Sequence, residues 1–256
     1  MIDLRNTDCL DLLKSIDDGS VDLILQDPPY NTTQCDWEYD IDLPVLWQEW
    51  ERVLKPDGVI LIFSDEPFTS RLIMSRLGFF KYRITWDKMQ GSNFLNAHKM
   101  PLKQTEDIVM FSRVKNGEYT YNPILKPKPK QNIRPMGNPK DKKKSTYGEH
   151  KGEFADGYDN TKSYPTNLVK FSGKADECNP LNRWHPTQKP VGLLNELIIT
   201  FSNENDLVFD GYSGSGSTAI SCHKTKRRFI GAELNEEYYK KAIRRIKDET
   251  SQLTMF

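Results

Sequence analysis

The sequence has few of the features that mark membrane, disulfide-rich or metal-binding proteins. Only four of its 256 residues are cysteines, and no two of them form a C-x-x-C pair. This argues against a disulfide framework and a zinc ribbon, gives no reason to expect a metal, and favours a reducing cytoplasm. The longest apolar runs, such as residues 59–63, are far too short to span a bilayer, and the first residues lack the features of a signal peptide.

An excess of either charge is also missing, because 36 lysines and arginines balance 36 aspartates and glutamates. The total hides a local excess between residues 124 and 151, where nine basic residues stand against two acidic ones and give a net charge of +7. The same region is rich in proline, is flanked by tyrosines and has no helical or strand periodicity. Zero net charge therefore does not exclude an anionic partner such as a nucleic acid.

Outside this basic region, strand and helix signals alternate. Short apolar runs predict strands over residues 21–25, 59–63, 79–86, 107–111, 207–209 and 228–232. Helical spacing and capping residues predict helices over residues 43–54, 67–77, 190–201 and 218–224 and after Asn235, with a turn over residues 55–58. The alternation predicts an α/β fold with a mainly parallel sheet and helices on both faces. We expect three parts: residues 1–112, a basic insert over 113–165, and residues 166–256.

A glycine- and serine-rich turn over residues 210–218 follows one predicted strand and precedes a helix. Glycines at this place let the backbone approach a ligand closely, and the helix N-terminus favours an anionic group. Glu233 ends the next strand about twenty residues later, where an acid meets ribose hydroxyls in nucleotide-binding folds. The pattern indicates a nucleoside cofactor, which need not carry a pyrophosphate. The competing interpretation is a surface loop and an ordinary helix-capping glutamate.

A second signal, Asp27-Pro28-Pro29-Tyr30, ends the predicted strand over residues 21–25. The prolines fix the backbone, so that a carboxylate and the Pro28 carbonyl are held rigidly as hydrogen-bond acceptors. Two such acceptors suit the amino group of a heterocycle and aim its lone pair at an electrophile, while the Tyr30 ring can stack on the heterocycle. The competing interpretation is a simple strand-ending turn, and the tetrapeptide alone does not decide between them.

Together the motifs resemble those of the amino-directed DNA methyltransferases, whose methyl donor is S-adenosylmethionine. The resemblance rests on residues 27–30, on His185-Pro186-Thr187-Gln188-Lys189-Pro190 and on residues 209–216, and it spans residues 4–247 without the middle segment. The catalytic motif precedes the glycine motif, an order similar to that of the circularly permuted beta class. The family usually has Pro and Phe where this chain has Gly211 and Tyr212, and the glycine is expected to loosen the turn.

The resemblance implies a role for individual residues. Asp27, Pro28, Pro29 and Tyr30 would form the catalytic motif. Asp8 and Cys9 would bind the cofactor adenine, Glu233 its ribose, Asp27 its amino group, and Gln188 and Lys189 its carboxylate. The full set of implied cofactor residues is Asp8, Cys9, Asp27, Gln188, Lys189, Asp210, Gly211, Tyr212, Ser213, Gly214, Ser215, Gly216, Thr218, Glu233 and Leu234. Without the resemblance, Asp8 is a surface acid and Lys189 only precedes a helix.

The resemblance also gives the basic insert a function, because a base inside the duplex must be flipped out before it can react. Lysines would supply phosphate affinity without sequence information, whereas direct reading would need Gln131, Asn132, Arg134 or Asn138 at base edges. The alternative is a solvated linker. The expected DNA-binding residues are Lys126, Lys128, Lys130, Arg134, Lys142, Lys143 and Lys144. Double-stranded DNA is the expected partner, with a homodimer and a cognate restriction endonuclease as further possibilities.

Several functions remain open at this stage. Asp at the first position of the tetrapeptide is the family's common form for adenine N6, whereas Ser is common for cytosine N4, so the sequence favours adenine. Cytosine N4 and RNA are alternative substrates on the same fold. A nucleic-acid-binding module without catalysis is an alternative of another class. A nicotinamide dehydrogenase fits less well, because the glycine spacing differs from G-x-G-x-x-G and the tetrapeptide would have no role.

Overall fold

The computed structural model describes residues 1–30, 41–92, 94–115, 118–133, 144–145, 148–149, 159–173, 184–185 and 187–252. It divides into two compact units, one formed by residues 1–122 and 167–256 and the other by residues 123–166. Among the described residues no helix is both long and apolar enough to cross a membrane.

Strands and helices alternate along most of the chain. In chain order the elements are β1 (Ile2–Arg5), α1 (Cys9–Lys14), β2 (Val21–Gln26), α2 (Leu43–Val53), β3 (Leu54–Ser64), α3 (Phe68–Ser75), β4 (Phe80–Ser92), β5 (Lys103–Phe111), β6 (Lys126–Pro127), β7 (Lys144–Ser145), β8 (Gly148–Glu149), β9 (Lys162–Ser163), β10 (Leu168–Lys170), α4 (Val191–Phe201), β11 (Leu207–Asp210), α5 (Ser217–Lys224), β12 (Arg228–Ala232) and α6 (Glu236–Gln252). Short 3-10 turns cover Phe94–Asn96 and Lys130–Asn132.

The larger unit contains one eight-stranded sheet in the order β1-β12-β11-β2-β3-β5-β4-β10. Every neighbouring pair is parallel except the two that include β5, which runs antiparallel to both β3 and β4. The carboxyl ends of β2, β11 and β12 therefore meet at one edge of the sheet, where ligands bind in open α/β folds. The expected α/β fold with a mainly parallel sheet is confirmed.

Helices cover both faces of this sheet, as β3 shows most clearly. Along β3, Leu61 and Phe63 point to the face covered by α4, α5 and α6, whereas Ile60 and Ile62 point to the face covered by α1, α2 and α3. All four side chains are buried. The continuous apolar run is thus explained by a strand that is buried on both faces, as parallel sheets require.

The structure differs from the sequence-based expectation at several places, and strands β6 to β10 were not predicted. The predicted turn over residues 55–58 lies inside β3, because the register against β2 shifts between Val21, which pairs with Leu54, and Leu23, which pairs with Val59. The turn signal therefore marks an irregularity of the strand rather than its end. The short elements β1 and α1 were not predicted, although Asp8 is a good N-cap and accepts a hydrogen bond from the Leu10 amide at 2.7 Å.

The smaller unit has little regular structure among its described residues. Strand β6 pairs with β9 in an antiparallel ribbon, which the Lys128 amide extends by donating to the Thr161 carbonyl. Strands β7 and β8 form a second short antiparallel pair. These two-residue strands agree with the absence of periodicity in the basic region of the sequence.

Candidate active site

A cavity of about 760 Å³ opens at the carboxyl edge of the sheet, within the larger unit. This volume lies in the range of clefts that hold drug-sized ligands, about 300–1,000 Å³. All four residues of the catalytic motif line it. Of the implied cofactor residues, all line the cavity except Gly216. Gly216 lies behind the wall, where it caps α5 with a φ of +73° and approaches Ile246.

Asp27 follows the last residue of β2 and is held from two directions. Its Oδ1 accepts a hydrogen bond from the Tyr30 hydroxyl, and its Oδ2 lies 2.7 Å from Lys189 Nζ. Burial raises the pKa of the Asp27 carboxyl, although Lys189 opposes the shift. The Tyr30 ring stacks on Phe68, with centroids 5.3 Å apart. Its expected stacking on a target base is not tested by this arrangement.

Lys189 contacts a second carboxylate that the sequence analysis did not single out. Its Nζ lies 2.8 Å from Glu106 Oε1, and Glu106 Oε2 lies 2.7 Å from Lys88 Nζ. Burial alone would raise the pKa of Glu106, but the two lysines outweigh it and lower this pKa to about 2. Burial would lower the pKa of Lys189, yet Asp27 and Glu106 reverse the effect and raise it. The site therefore contains two ammonium groups and two carboxylates in alternation.

The glycine turn and the end of β12 are joined through Glu233. The Gly214 amide donates to Glu233 Oε2 at 2.8 Å, and the Asn235 amide donates to Oε1 at 2.8 Å. Gly214 has a φ of +49°, a conformation that L-residues other than glycine rarely adopt. A carboxylate has further lone pairs, so Glu233 can still accept hydroxyl donors from the cavity.

Arg245 of α6 supports the same turn from behind and was missed by the sequence analysis. It is 2% exposed, and its Nη1 lies 2.8 Å from Ser217 Oγ and 3.2 Å from the Ser215 carbonyl oxygen. The guanidinium thus satisfies acceptors of a turn that is poor in side chains. One sequence signal for this role exists, because Arg245 lies between the buried positions Ala242 and Ile246 on the helix.

Gly211 is needed for close packing rather than for a loose turn. Its backbone is not in the left-handed region, but a Cβ there would lie 2.2 Å from Cys9 Sγ, 3.1 Å from Cys9 Cβ and 3.2 Å from Gln26 Nε2. No real side chain fits at 2.2 Å without displacement of Cys9. The structure therefore gives this glycine a different role from the expected loosening of the turn. Its lack of a side chain allows tight contact between the turn and α1.

We expect Gly211→Ala to destabilise the protein by about 1–3 kcal/mol, the usual effect of overpacking a core. Cys9→Ala removes the closest atom, so the double variant should lose less stability than the sum of the two single variants. Urea denaturation of the four proteins measures the difference, for which coupling of about 0.5–3 kcal/mol is typical of residues in contact. Strictly additive losses would show that the contact with Cys9 is not the cause.

Asp210 ends β11 and is 3% exposed, with its Oδ1 accepting a hydrogen bond from the Tyr212 amide at 3.0 Å. Burial raises the pKa of this carboxyl to about 7, and Thr218 and the Tyr212 amide only partly oppose the shift. The folded protein therefore holds a proton on Asp210 that the unfolded chain releases near pH 4. This contribution to stability is full below that pH and is lost as the pH rises through about 7.

Asp210→Asn should remove this pH dependence, because the amide keeps an acceptor for Tyr212 and carries no charge. We expect the variant to gain stability over the unaltered protein between pH 5 and pH 8 by at most about 3 kcal/mol, because the change covers about two pH units up to the raised pKa, at about 1.36 kcal/mol for each. Chemical denaturation at both pH values measures the gain. An identical difference between the two proteins at pH 5 and pH 8 would contradict a raised pKa at Asp210.

The remaining implied residues are also found at the cavity, each with a structural partner. Gln188 Oε1 accepts a hydrogen bond from the Trp184 amide at 3.0 Å. Beside it, His185 packs edge-on against Tyr238, with ring centroids 4.3 Å apart. Leu234 is exposed at 59% on the cavity wall. These contacts hold the segment before α4 next to the start of α6.

The expected DNA-binding residues are described only in part. Lys126 and Lys130 are exposed and Lys128 is half-buried, and all three belong to the smaller unit. Gln131 and Asn132 form an exposed 3-10 turn. Lys144 lies in β7. Arg134, Asn138, Lys142 and Lys143 lie outside the described residues. The structure therefore does not test the interface expected for this region.

The donors and acceptors of the cavity fit S-adenosylmethionine. Glu233 offers acceptors for ribose hydroxyls, Asp27 an anion for an ammonium group, and Lys189 a cation for a carboxylate. A Cβ at Gly214 would point at the His185 ring from 3.6 Å, so the glycine leaves a space between the turn and the segment before α4. Within the described residues no cluster of His, Cys, Asp and Glu suits a metal ion.

Comparisons with known proteins agree with this fit. The chain is 30% identical over 250 residues to the type II methyltransferase M.HpaI of Haemophilus parainfluenzae, across 93% of this chain and 71% of that protein. It is 31% identical over 252 residues to the DNA adenine methyltransferase YhdJ of Escherichia coli K12, across 93% of this chain and 80% of that protein.

A solved structure and a family profile complete the comparison. The crystal structure of the M1.HpyAVI–SAM complex has a TM-score of 0.63 and 24% identity, covering 96% of this chain and 99% of that one, so the two share a fold. The profile of the N6/N4 DNA methylase family matches residues 21–244. The methyl donor is S-adenosylmethionine. The chain therefore belongs to the N6/N4 family of DNA methyltransferases.

Proposed function

We propose that this DNA methyltransferase acts on the N6 amino group of an adenine that is flipped out of double-stranded DNA. The observation that carries the proposal is the position of Asp27. Its carboxylate lies on the cavity wall at the end of β2, beside Pro28 and across from the turn that meets Glu233. The two rigid acceptors, on Asp27 and Pro28, thus line the same cavity as Glu233, which would bind the nucleoside.

The proposed step depends on how Asp27 and Pro28 orient the target amine. The Asp27 carboxylate and the Pro28 carbonyl each accept one N–H, which leaves the nitrogen lone pair directed into the cavity. S-adenosylmethionine supplies an electrophilic methyl group, whose carbon bonds to this nitrogen as its bond to sulfur breaks and leaves a thioether. The methylated nitrogen then carries one proton too many, and Asp27 is the acceptor that can take it. A raised pKa at Asp27 suits this proton transfer.

The other assignments belong to the same proposal. Asp8, Cys9, Gln188, Lys189, Glu233, Leu234 and the turn over residues 210–218 would bind the cofactor. The insert over residues 113–165 would be the target-recognition part, between the two halves of a methyltransferase domain with beta-class motif order. We further propose that the enzyme is cytoplasmic, pairs as a homodimer and works with a cognate endonuclease. The endonuclease is suggested by the type II methyltransferase among the relatives.

Adenine is preferred to cytosine for two reasons. The tetrapeptide begins with Asp27 rather than Ser, and one relative is named a DNA adenine methyltransferase. The family includes both N6 and N4 enzymes, so cytosine N4 is the alternative. The test is to express the chain in a methylation-free host and analyse the DNA by nucleoside mass spectrometry and modification-detecting sequencing. N6-methyladenine at one sequence is expected. N4-methylcytosine would change the target base, and unmodified DNA from cells with cofactor-binding protein would indicate a catalytically inactive module.

A further inference from the structure

Glu106 is the member of the active site with no role so far. It lies on β5, away from the catalytic and cofactor motifs in sequence, yet it lines the cavity and is 7% exposed. Both of its carboxylate oxygens contact ammonium groups, one of Lys189 at 2.8 Å and one of Lys88 at 2.7 Å. Lys189 therefore bridges Glu106 and Asp27, with its Nζ 2.8 Å from the first carboxylate and 2.7 Å from the second.

A purely structural role explains these contacts poorly. A buried ion pair adds little net stability over an apolar replacement, because the loss of hydration offsets the attraction, although removal of one partner alone is destabilising. The contacts of Lys189 instead point towards the reaction. Its Nζ lies between Glu106 and Asp27 and is 4.9 Å from the centroid of the Phe63 ring. The ammonium group of Lys189 has three N–H donors. Its contacts with two carboxylates and one aromatic ring therefore fix its orientation.

The balance of charge has a consequence for Asp27. With Glu106 present, Lys189 divides its attraction between the carboxylates of Asp27 and Glu106. The charge of Lys88 is neutralised by Glu106. Without Glu106, the ammonium group of Lys88 would lose its ion pair, and Lys189 would direct its charge at the single carboxylate of Asp27. That carboxylate would then be drawn into a full ion pair with Lys189 and would become a weaker acceptor for a substrate N–H.

We propose that Glu106 is a positioning residue, which holds Lys189 and shares its charge so that Asp27 keeps an acceptor oxygen for the target amine. The inference rests on the proposed function of Asp27. Further charged groups near this cluster are Lys103, which pairs with Asp65, and Asp210 across the cavity. Besides burial, Glu106 also raises the pKa of Tyr30, and it counteracts the effect of burial on the pKa of Lys103, so Glu106→Gln acts on these two groups as well.

The test compares Glu106→Gln with a matched control on the same strand. Asp107→Asn removes the neighbouring carboxylate, which pairs with Arg83 at 3.1 Å and does not line the cavity. The rate of single-turnover methyl transfer is measured as a function of pH. The substrate is an unmethylated duplex that contains the sequence identified as the methylation site. Glu106→Gln should lower the plateau rate about tenfold or more and move the acidic limb to lower pH by about one unit, as expected for loss of a nearby like charge. Asp107→Asn should change neither the plateau rate nor the position of the acidic limb.

Calorimetry with S-adenosylhomocysteine and thermal melting separate positioning from a structural defect. If Glu106→Gln is poorly folded, the charge-balanced variant Glu106→Gln/Lys88→Gln replaces it, with the same expected shift of the acidic limb. A slower reaction with an unshifted limb, or a loss of rate that follows the loss of folded protein, overturns the inference. If the unaltered enzyme itself methylates no DNA, the proposed function fails instead, so the two failures are distinguishable.

Discussion

Replacing Asp27 by Asn should lower the rate of methyl transfer about a thousandfold, the upper end of the range for loss of one preorganised polar group in an active site. Asn is nearly isosteric, but it has one acceptor oxygen instead of two. Lys189 Nζ, 2.7 Å from Oδ2, would claim that oxygen. The amide would then present N–H donors towards the target amine, which also donates. Asp27→Ala should abolish transfer for the simpler reason that no acceptor remains.

The matched control for this result is Asp22→Asn on the same strand. Asp22 pairs with Lys55 at 2.5 Å and does not line the cavity, so its variant should methylate near the unaltered rate once folded. Rates come from single-turnover assays with radioactive methyl donor, and circular dichroism and melting verify the fold. Near-normal transfer by Asp27→Ala would mean that another group orients the target, and the catalytic assignment would be wrong.

The main features of the site could be predicted because they are local in sequence. Asp27 and Asp210 each end an apolar run that can be recognised without knowledge of the fold. Once these runs form a parallel sheet, their carboxyl ends meet at one edge. The sequence motifs therefore predicted many of the residues that line the cavity, although they did not predict Glu106 or which side chains contact one another inside it.

The electrostatic part of the site could not be predicted in this way. Glu106 lies within β5, and its two lysine partners come from β4 and from the segment before α4. No spacing rule connects these three positions. Lys88 meets Glu106 through the antiparallel pairing of β4 with β5, and Lys189 reaches it from the segment before α4. The same holds for Gly211, whose requirement for glycine depends on Cys9, about two hundred residues earlier. Long-range contacts of this kind decide side-chain chemistry after the backbone pattern is set.

DNA binding should depend steeply on salt, although the whole chain has no net charge. Within the basic insert, residues 124–151 carry +7, and each phosphate that they neutralise releases counterions. A protein with 6–10 phosphate contacts loses about 10³–10⁵ in affinity between 50 and 200 mM salt. We expect a loss near the lower end of this range, measured by fluorescence anisotropy with labelled duplex DNA over a series of salt concentrations.

The location of the effect can be tested with two triple variants of equal charge. Replacing Lys142, Lys143 and Lys144 by Gln should reduce the slope of log K against log salt by about 2.7, since each contact contributes about 0.9. Replacing the exposed Lys14, Lys226 and Lys247 removes the same charge outside the insert and should leave the slope nearly unchanged. Equal reductions in both variants would show that the field of the whole protein, not the insert, attracts DNA.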